Sequence, residues 1–248
     1  MKIVVCVNHV PDTATRVNIA SCNKTIDNNG VTFVINPYDE FAIEEALKTK
    51  ESTGGEVVAI SLGTEAKKET LRKTLAMGAD SAILLKTELA LDSLSVAKAL
   101  ANEIKTMGAE LIFMGKQSVD YDSSIMGQLV ATILDYNIVS TATSFNLDGN
   151  KITAEREIEG GKETIETSLP AVVTAQKGLN EPRYPSLKGI MAAKKIVIEE
   201  KEIQVTDNTV YVTEMKKPIA KKAGEIIGDN ASAVPELVRL LKEEAKVI

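Results

Sequence analysis

Histidine, cysteine and tryptophan are scarce in this sequence. Its 248 residues include one histidine, two cysteines and no tryptophan. The lone histidine, His9, has no clustered cysteines beside it and cannot build a usual zinc site, so we expect no metal site. Cys6 and Cys22 are too few for a disulfide framework, and such usage is typical of a reducing compartment. We therefore expect a cytoplasmic protein that folds on its hydrophobic core.

Long apolar runs are missing as well. No run of 18 apolar residues occurs, so we expect no segment that inserts into a membrane. The apolar run before Asn8 has only five residues, which is too short for the core of a signal peptide. The net charge of −6 argues against nucleic acid as the main partner.

The usual catalytic signatures are absent too. GxSxG, HExxH and the Walker pattern do not occur, and the position five residues before Gly115-Lys116 is Glu110 rather than the glycine of a P-loop. We interpret His9, which follows the first predicted strand, as a solvated loop histidine rather than an acid or base. These absences indicate a protein that positions a ligand rather than one whose own side chains break bonds.

The first half of the chain alternates buried strands with helices. Nearly all-apolar runs, bounded by glycine or polar residues, are typical of strands covered on both faces. Strands are predicted over residues 3–7, 57–62, 82–85 and 111–114. Helices are predicted from 36–37 to 54–55, with Asn36 as the N-cap, from about 64 to 78, and from 92 or 93 to 108. Alternating strands and helices predict a doubly wound, mostly parallel, Rossmann-like α/β sheet.

The pattern changes after Tyr136. Asp148-Gly149 and Gly160-Gly161 are hairpin signals between predicted strands, and a further strand is expected over residues 169–175. We expect these antiparallel pieces to extend the edge of the parallel sheet. Beyond them we predict an extended arm over residues 200–230, where Lys216, Lys217, Lys221 and Lys222 lie close together, and an amphipathic helix over 232–246. The predicted domains are therefore 1–199, which binds a nucleotide, and 200–248, the arm and helix.

Three segments are expected to meet at the carboxyl ends of the strands, where ligands bind in such sheets. They are residues 6–9, 62–64 and 115–127. The third precedes a helix predicted over residues 125–134, whose free N–H groups could bind phosphate together with the hydroxyls of Ser123 and Ser124. The carboxylates of Asp120 and Asp122 would repel phosphate, so they are expected to cap the helix or bind ribose. A capped loop without a ligand is the alternative.

Residues 179–195 form an unusual proline-rich run. Pro182 and Pro185 favour extended conformations in the residues that precede them. Ser186 is a good N-cap for a short helix that includes Ile190. Such a loop could hold Leu187 outward as an apolar knob, and the alternative is an ordinary surface turn.

Five motifs relate this sequence to a known family. They are AVVTAQKGLNEPRYPSLKGIMAAKK (171–195), NPYDEFAIEEAL (36–47), LAMGAD (75–80), GKQSVDYD (115–122) and REIEGGKETI (156–165). Through them the chain resembles the electron transfer flavoprotein β subunit. The resemblance implies an electron carrier rather than an enzyme. It also implies a partner α subunit that holds most of the FAD and is contacted by the C-terminal arm, a structurally bound AMP, and partner dehydrogenases of the acyl-CoA type or other flavin dehydrogenases.

The resemblance also implies roles for particular residues. Adenine and ribose contacts would come from Cys6, Asn36, Pro37, Tyr38, Asp39 and Leu62, with Cys6 as a pocket wall rather than a redox thiol. The phosphate loop would be Lys116, Gln117, Ser118, Val119, Asp120, Tyr121, Asp122, Ser123, Ser124, Ile125, Met126 and Gly127. The partner dehydrogenase would contact Arg183, Tyr184, Pro185, Ser186, Leu187, Lys188, Gly189, Ile190 and Met191.

One position departs from the pattern of many single-flavin members. Thr13 occupies the place where those members have an aromatic residue beside the flavin, and its VPDT context resembles members that bind a second FAD in this subunit. An electron-bifurcating, NADH-linked protein with FAD in place of AMP is therefore the alternative. A stand-alone adenine-nucleotide-binding stress protein is a third reading, but its glycine-rich phosphate motif is missing here.

Overall fold

The protein is built around a nine-stranded sheet. The structure, a computed structural model, describes residues 1–203, 208–220 and 223–248. The strands are β1 (Lys2–Cys6), β2 (His9–Pro11), β3 (Phe33–Ile35), β4 (Glu56–Gly63), β5 (Ser81–Lys86), β6 (Leu111–Gly115), β7 (Asn137–Asp148), β8 (Lys151–Ile158), β9 (Gly161–Ser168), β10 (Ala171–Ala175) and β11 (Glu199–Glu202). The helices are α1 (Pro37–Thr53), α2 (Lys68–Met77), α3 (Ser93–Met107), α4 (Met126–Leu134), α5 (Leu187–Ala193) and α6 (Val234–Glu243).

The main sheet has the order β11-β5-β4-β1-β6-β10-β7-β8-β9, and β2 and β3 form a separate antiparallel pair. From β11 to β7 every neighbouring pair is parallel, whereas β7, β8 and β9 pair antiparallel. The chain moves outward from β1 through β4 to β5, and then returns to place β6 on the other side of β1. Strand order therefore reverses between β1 and β6. The predicted doubly wound, mostly parallel α/β fold is confirmed.

Helices cover both faces of the sheet. On one face α1 and α2 pack over a core that includes Phe113, and on the other α3 and α4 pack over a core that includes Ile112. These neighbours on β6 point to opposite faces because side chains alternate along a strand. The helix boundaries follow local signals. Asp92 Oδ1 caps α3 by accepting a hydrogen bond from the Ser95 N–H at 2.8 Å, and Gly108 ends that helix at φ +62°.

One strand was misplaced by the sequence patterns. Residues 169–175 were expected in the antiparallel extension, but β10 lies inside the sheet, parallel to both β6 and β7. All five of its residues are buried, which fits a strand with neighbours on both edges and helices on both faces. The predicted edge extension consists of β7, β8 and β9 alone.

The C-terminal part runs along the outside of the main domain. The expected boundary at 199/200 falls within β11, which pairs with β5. Farther on, the Thr209 N–H donates to Asp92 Oδ2 at 2.6 Å and the Met215 N–H donates to the Asn23 carbonyl at 2.7 Å. The expected cluster of lysines includes Lys221 and Lys222, which lie outside the described residues.

The predicted terminal helix is present but shorter, as a 3-10 turn over Ala231–Ala233 followed by α6. All residues of α6 are at least partly exposed. Leu237 and Val238 lie on its apolar face and are exposed. In the described part of the chain, no helix combines the length and apolarity that crossing a membrane requires.

Candidate functional site

The loops that follow β1, β4 and β6 meet at the carboxyl ends of those strands, beside the point where strand order reverses. The first two turns of α1 face the same place. Asp39 connects these elements although it is almost fully buried. Its Oδ2 accepts a hydrogen bond from the Asn8 N–H at 2.7 Å, and its Oδ1 accepts one from the Gly115 N–H at 3.0 Å. Burial raises the pKa of this carboxyl to about 7, and the nearby Asp120 adds a smaller effect in the same direction.

Asn36 forms the second connection between α1 and the loop after β6. Its Nδ2 donates to Asp39 Oδ1 and to the Gln117 carbonyl, both at 2.9 Å, and its Oδ1 accepts from the Val119 N–H at 3.2 Å. Asn36 stands at the N-cap position, but its side chain makes no capping hydrogen bond. The expected side-chain cap is therefore wrong. The amide is used instead to fix the loop that begins at Lys116.

Asn8 and Lys67 are site residues that the sequence analysis did not single out. Asn8 Nδ2 donates to Ser118 Oγ at 2.8 Å and to Asp120 Oδ2 at 3.1 Å, while its Oδ1 accepts from Lys67 Nζ. Burial lowers the pKa of Lys67, and the charges of Asp120 and Asp39 oppose that shift. Lys67 places a cation among carboxylates at the end of β4. Its position in a polar 3-10 turn (Glu65–Lys67) gave no signal in the sequence.

Residues 116–125 form a loop held by its own side chains. Gln117 Nε2 donates to Asp122 Oδ1 at 2.8 Å, and Gln117 Oε1 accepts from Ser124 Oγ at 2.9 Å. Asp122 and Ser124 both have positive φ, of 50° and 52°. Asp120 Oδ1 accepts from the Tyr121 N–H at 3.0 Å. The suggestion that Asp120 or Asp122 caps the following helix is wrong, because the N-cap residue is Ile125 and no side chain caps it.

The first turn of α4 therefore leaves backbone N–H groups without intrahelical partners, as at any helix start. Gly127 lies in this turn and allows close packing on β10. A Cβ there would come within 2.2 Å of Thr174 Cγ2. Ser123 and Tyr121 are exposed immediately before this turn, and Met126 packs against the core. The loop thus presents unbonded N–H groups and a hydroxyl at one helix terminus, where the helix dipole favours an anion.

The remaining residues expected at the nucleotide lie at or next to the carboxyl ends of β1, β4 and β6, or in the first turn of α1. Cys6 is buried, and burial, with a smaller effect of Asp39, raises the pKa of its thiol to about 12. Leu62 packs against the core on the same face of the sheet. Lys116 Nζ lies 4.9 Å from the centroid of the Tyr38 ring, in a cation–π contact beside Pro37.

Two residues near the first strand depart from this cluster. His9 was interpreted as a solvated loop residue, which is wrong. It lies in β2, stacks on Phe33 with ring centroids 4.7 Å apart, and its Nδ1 is 2.8 Å from Thr70 Oγ1. Burial is the main cause that lowers its pKa, and Lys67 contributes. Thr13 lies in the exposed turn that follows β2.

Residues 179–195 pack against α1 and α2. Ser186 Oγ accepts from the Gly189 N–H at 3.0 Å, so the predicted N-cap of α5 is confirmed. Leu187 is 84% exposed, as expected for an outward apolar knob. Tyr184 and Met191 are exposed, Ile190 is partly exposed, and Pro185 and Lys188 complete the surface.

The fold and the site define a doubly wound α/β protein with a cluster of polar side chains at its switch point, where such sheets form a ligand crevice. The family model described as "Electron transfer flavoprotein domain" matches residues 24–206. The chain is 40% identical over 259 residues to the "Electron transfer flavoprotein subunit beta" of Bacillus subtilis, and 36% identical over 256 residues to the mitochondrial subunit of Arabidopsis thaliana. Each match covers 100% of this chain and 100% of the relative. The chain belongs to the electron transfer flavoprotein β-subunit family.

Proposed function

We propose that this chain is the β subunit of a heterodimeric electron carrier. An α subunit holds most of the FAD and is contacted by the arm beyond residue 200, which leaves exposed apolar side chains at Ile219, Ile226 and on α6. Dehydrogenases of the acyl-CoA or another flavin-dependent type dock on the exposed Leu187 and deliver electrons to that FAD, and a downstream acceptor receives them. The flavin supplies the redox chemistry, while this chain supplies binding, orientation and exclusion of water.

The observation that carries the proposal is the braced loop at the switch point. Asn36 and Asp39 hydrogen-bond the backbone at residues 115, 117 and 119, and Asn8 hydrogen-bonds the side chain of Ser118. A loop held by the protein's own hydrogen bonds loses less conformational entropy on binding, so its contacts contribute more fully to affinity. We propose that this crevice binds AMP, with its phosphate at the start of α4 and its adenosine along the wall formed by Cys6 and Leu62.

A single-phosphate ligand suits the charges around the loop. The anion would lie against the first-turn N–H groups of α4 and would accept a hydrogen bond from the hydroxyl of Ser123. Asp120 accepts a hydrogen bond from Asn8, which follows β1, and Asp122 accepts one from Gln117 within the loop, so neither carboxylate needs to face the phosphate. Asp39 and Asn36 act from beneath, as positioning residues, because their polar atoms are occupied by the protein.

The first test counts cofactors. The chain is co-expressed with an electron transfer flavoprotein α subunit, and FAD and AMP are measured per heterodimer after gel filtration. One FAD and one AMP support the proposal. Two FAD and no AMP would support the bifurcating alternative indicated by Thr13, and a chain without an α partner that retains ATP would support the stress-protein reading.

A second test locates the nucleotide in the crevice. Asn36→Ala removes two hydrogen bonds to the loop and one to Asp39. Ser123→Ala with Ser124→Ala removes two hydroxyls, each worth about 0.5–1.5 kcal/mol net. Both variants should lose AMP on gel filtration while the FAD on the α subunit is retained. Asn29→Ala, in an exposed turn, is the control. Stoichiometric AMP in both test variants would contradict this placement.

A further inference from the structure

We propose that Arg183 is a positioning residue that clamps the segment carrying Leu187 to helix α1, rather than a residue that contacts the partner dehydrogenase. The inference rests on the proposed docking function of Leu187 and assigns a separate task to its neighbour. Leu187 is 84% exposed and Tyr184 is 94% exposed, so neither side chain is held in place by its own burial. Contacts made by other residues must therefore hold this segment in one conformation.

The guanidinium of Arg183 is occupied by two carboxylates of α1. Nε donates to Glu44 Oε2 at 2.8 Å and Nη2 donates to Glu44 Oε1 at 2.9 Å, which is the bidentate fork. Nη1 donates to Glu51 Oε1 at 2.5 Å, and Nη2 also reaches Glu51 Oε2 at 3.1 Å. The backbone N–H of Arg183 donates to Glu44 Oε2 at 3.0 Å. A side chain used this fully by its own protein has little left for a partner.

Arg183 is held by Glu44, and the buried Glu44 in turn needs Arg183 as its charged partner. Glu44 is only 5% exposed, and a buried carboxylate is tolerated when it is paired and hydrogen-bonded. Glu51 is exposed and forms the outer arm. The inner pair therefore ties the segment to the helix, and the outer pair restricts rotation of the guanidinium plane.

A second tie lies three residues earlier. Asn180 Nδ2 donates to the Phe41 carbonyl at 2.9 Å and to Glu45 Oε2 at 2.8 Å. Asn180 and Arg183 thus attach residues 180–183 to successive turns of α1. Since Pro182 and Pro185 restrict the backbone around these ties, the N-terminal side of the knob is fixed.

The C-terminal side is fixed on α2. A Cβ on Gly189 would come within 2.3 Å of the Ala76 carbonyl oxygen, so α5 lies directly against the end of α2. Arg72 Nη1 donates to the carbonyls of Ala193 and Ile196, at 2.5 Å for Ile196. Leu187 therefore projects from a short span anchored to two helices. Such preorganisation lowers the cost of ordering the segment when a partner binds.

The experiment uses the heterodimer and three variants. Arg183→Gln removes the clamp and leaves Glu44 buried without a charged partner. Arg183→Gln combined with Glu44→Gln removes the clamp and the unpaired charge together. Arg156→Gln is the control, because Arg156 also pairs with one glutamate, Glu163, and has the same 35% side-chain exposure, but lies on the β8–β9 hairpin. Hydrogen exchange of residues 184–193, melting temperature and the rate of reduction by an acyl-CoA dehydrogenase are measured.

In both Arg183 variants the backbone amides of residues 184–193 should exchange at least about tenfold faster, because hydrogen bonds to charged groups are lost. The apparent KM for the dehydrogenase should rise several-fold, whereas the limiting rate and the flavin spectrum stay unchanged. The double variant should regain most of the melting temperature lost by Arg183→Gln without regaining slow exchange or low KM. Arg156→Gln should leave the exchange of residues 184–193 as in the wild type.

Two results would overturn the clamp. One is unchanged exchange in both Arg183 variants. The other is faster exchange with an unchanged KM while Leu187→Ala raises KM, since the knob would then work without being held. If Leu187→Ala itself leaves the dehydrogenase reaction unchanged, it is the docking function that fails, and the exchange data still decide whether Arg183 orders the segment.

Discussion

Asp39 and Gly115 are 76 residues apart in the chain, yet the Gly115 N–H donates to the Asp39 carboxylate at 3.0 Å. The contact requires a glycine. A Cβ at Gly115 would lie 2.4 Å from Asp39 Oδ1 and 2.8 Å from Tyr38 Cβ. The start of α1 and the end of β6 therefore leave no room for a side chain at position 115. This approach sets the position of the loop that follows β6.

Gly115→Ala tests that relationship. The added methyl group must displace Asp39 or the start of α1, and overpacking of this kind costs about 1–3 kcal/mol. We expect a lower midpoint in urea unfolding and loss of nucleotide from the heterodimer. Gly161→Ala is the matched control, because a Cβ at Gly161 meets nothing within 4 Å. Equal midpoints for the two variants would show that the contact is not tight.

Asp39 also predicts a pH dependence of stability. Its native pKa is raised from 3.8 to about 7, mainly by burial. Between these values the native state holds a proton that the unfolded state has released, so the free energy of unfolding falls as the pH rises. The contribution of Asp39 to the free energy of unfolding should be largest below about pH 4 and should be lost by about pH 7.

Asp39→Asn isolates this effect. The amide cannot accept all three hydrogen bonds that reach the carboxylate, so the variant should be less stable at every pH. Its free energy of unfolding should, however, lack the decline that the wild type shows between about pH 4 and 7. The measurement is the free energy of unfolding in urea across this range for both proteins. Parallel curves would mean that Asp39 is ionised throughout.

Local signals were sufficient to predict much of the fold. Asp92 and Gly108 delimit α3 as the sequence indicated, because a cap and a left-handed glycine act on their own helix. Buried apolar runs located the central strands for a similar reason. The place of β10 was not predictable in this way, since its neighbours β6 and β7 are chosen by long-range pairing.

The sequence predicts where the loops of the candidate site meet, but not which hydrogen bonds join them. The topology of a doubly wound sheet brings the loops after β1 and β6 together, so residues 115–127 could be located from strand order. The partners could not be predicted. Asn36 was expected to cap its own helix, but it binds atoms 81 and 83 residues away. Arg183 was grouped with the exposed knob, but its carboxylate partner Glu44 lies 139 residues earlier.

The two cysteines should differ sharply in reactivity. The thiolate is the nucleophile, and burial raises the pKa of Cys6 to about 12. Cys22 is exposed, and its hydrogen bond with Thr25 lowers its pKa. Iodoacetamide at neutral pH should label Cys22 alone in the native chain, and both cysteines in urea, as read by mass spectrometry. Rapid native labelling of Cys6 would contradict its burial and its proposed place in the pocket wall. Cys22→Ser is the control.

Leu187→Ala tests the docking knob. Leu187 is 84% exposed, so its removal should leave the melting temperature, AMP content and flavin spectrum unchanged. An aliphatic side chain buried in a partner pocket contributes about 1.5–3 kcal/mol, and central anchors dominate interface energies. The efficiency of reduction by an acyl-CoA dehydrogenase should therefore fall about ten- to a hundredfold.

The matched control for this variant is Val197→Ala. Val197 is 85% exposed and lies just beyond α5. The substitution therefore removes a similar apolar side chain from a surface outside the knob. It should leave the efficiency of reduction unchanged. The salt dependence of the rate should persist in Leu187→Ala, because Lys188, Lys194 and Lys195 still provide electrostatic steering. An equal loss in both variants would point to a broad apolar surface, and no loss in either would remove Leu187 as the anchor.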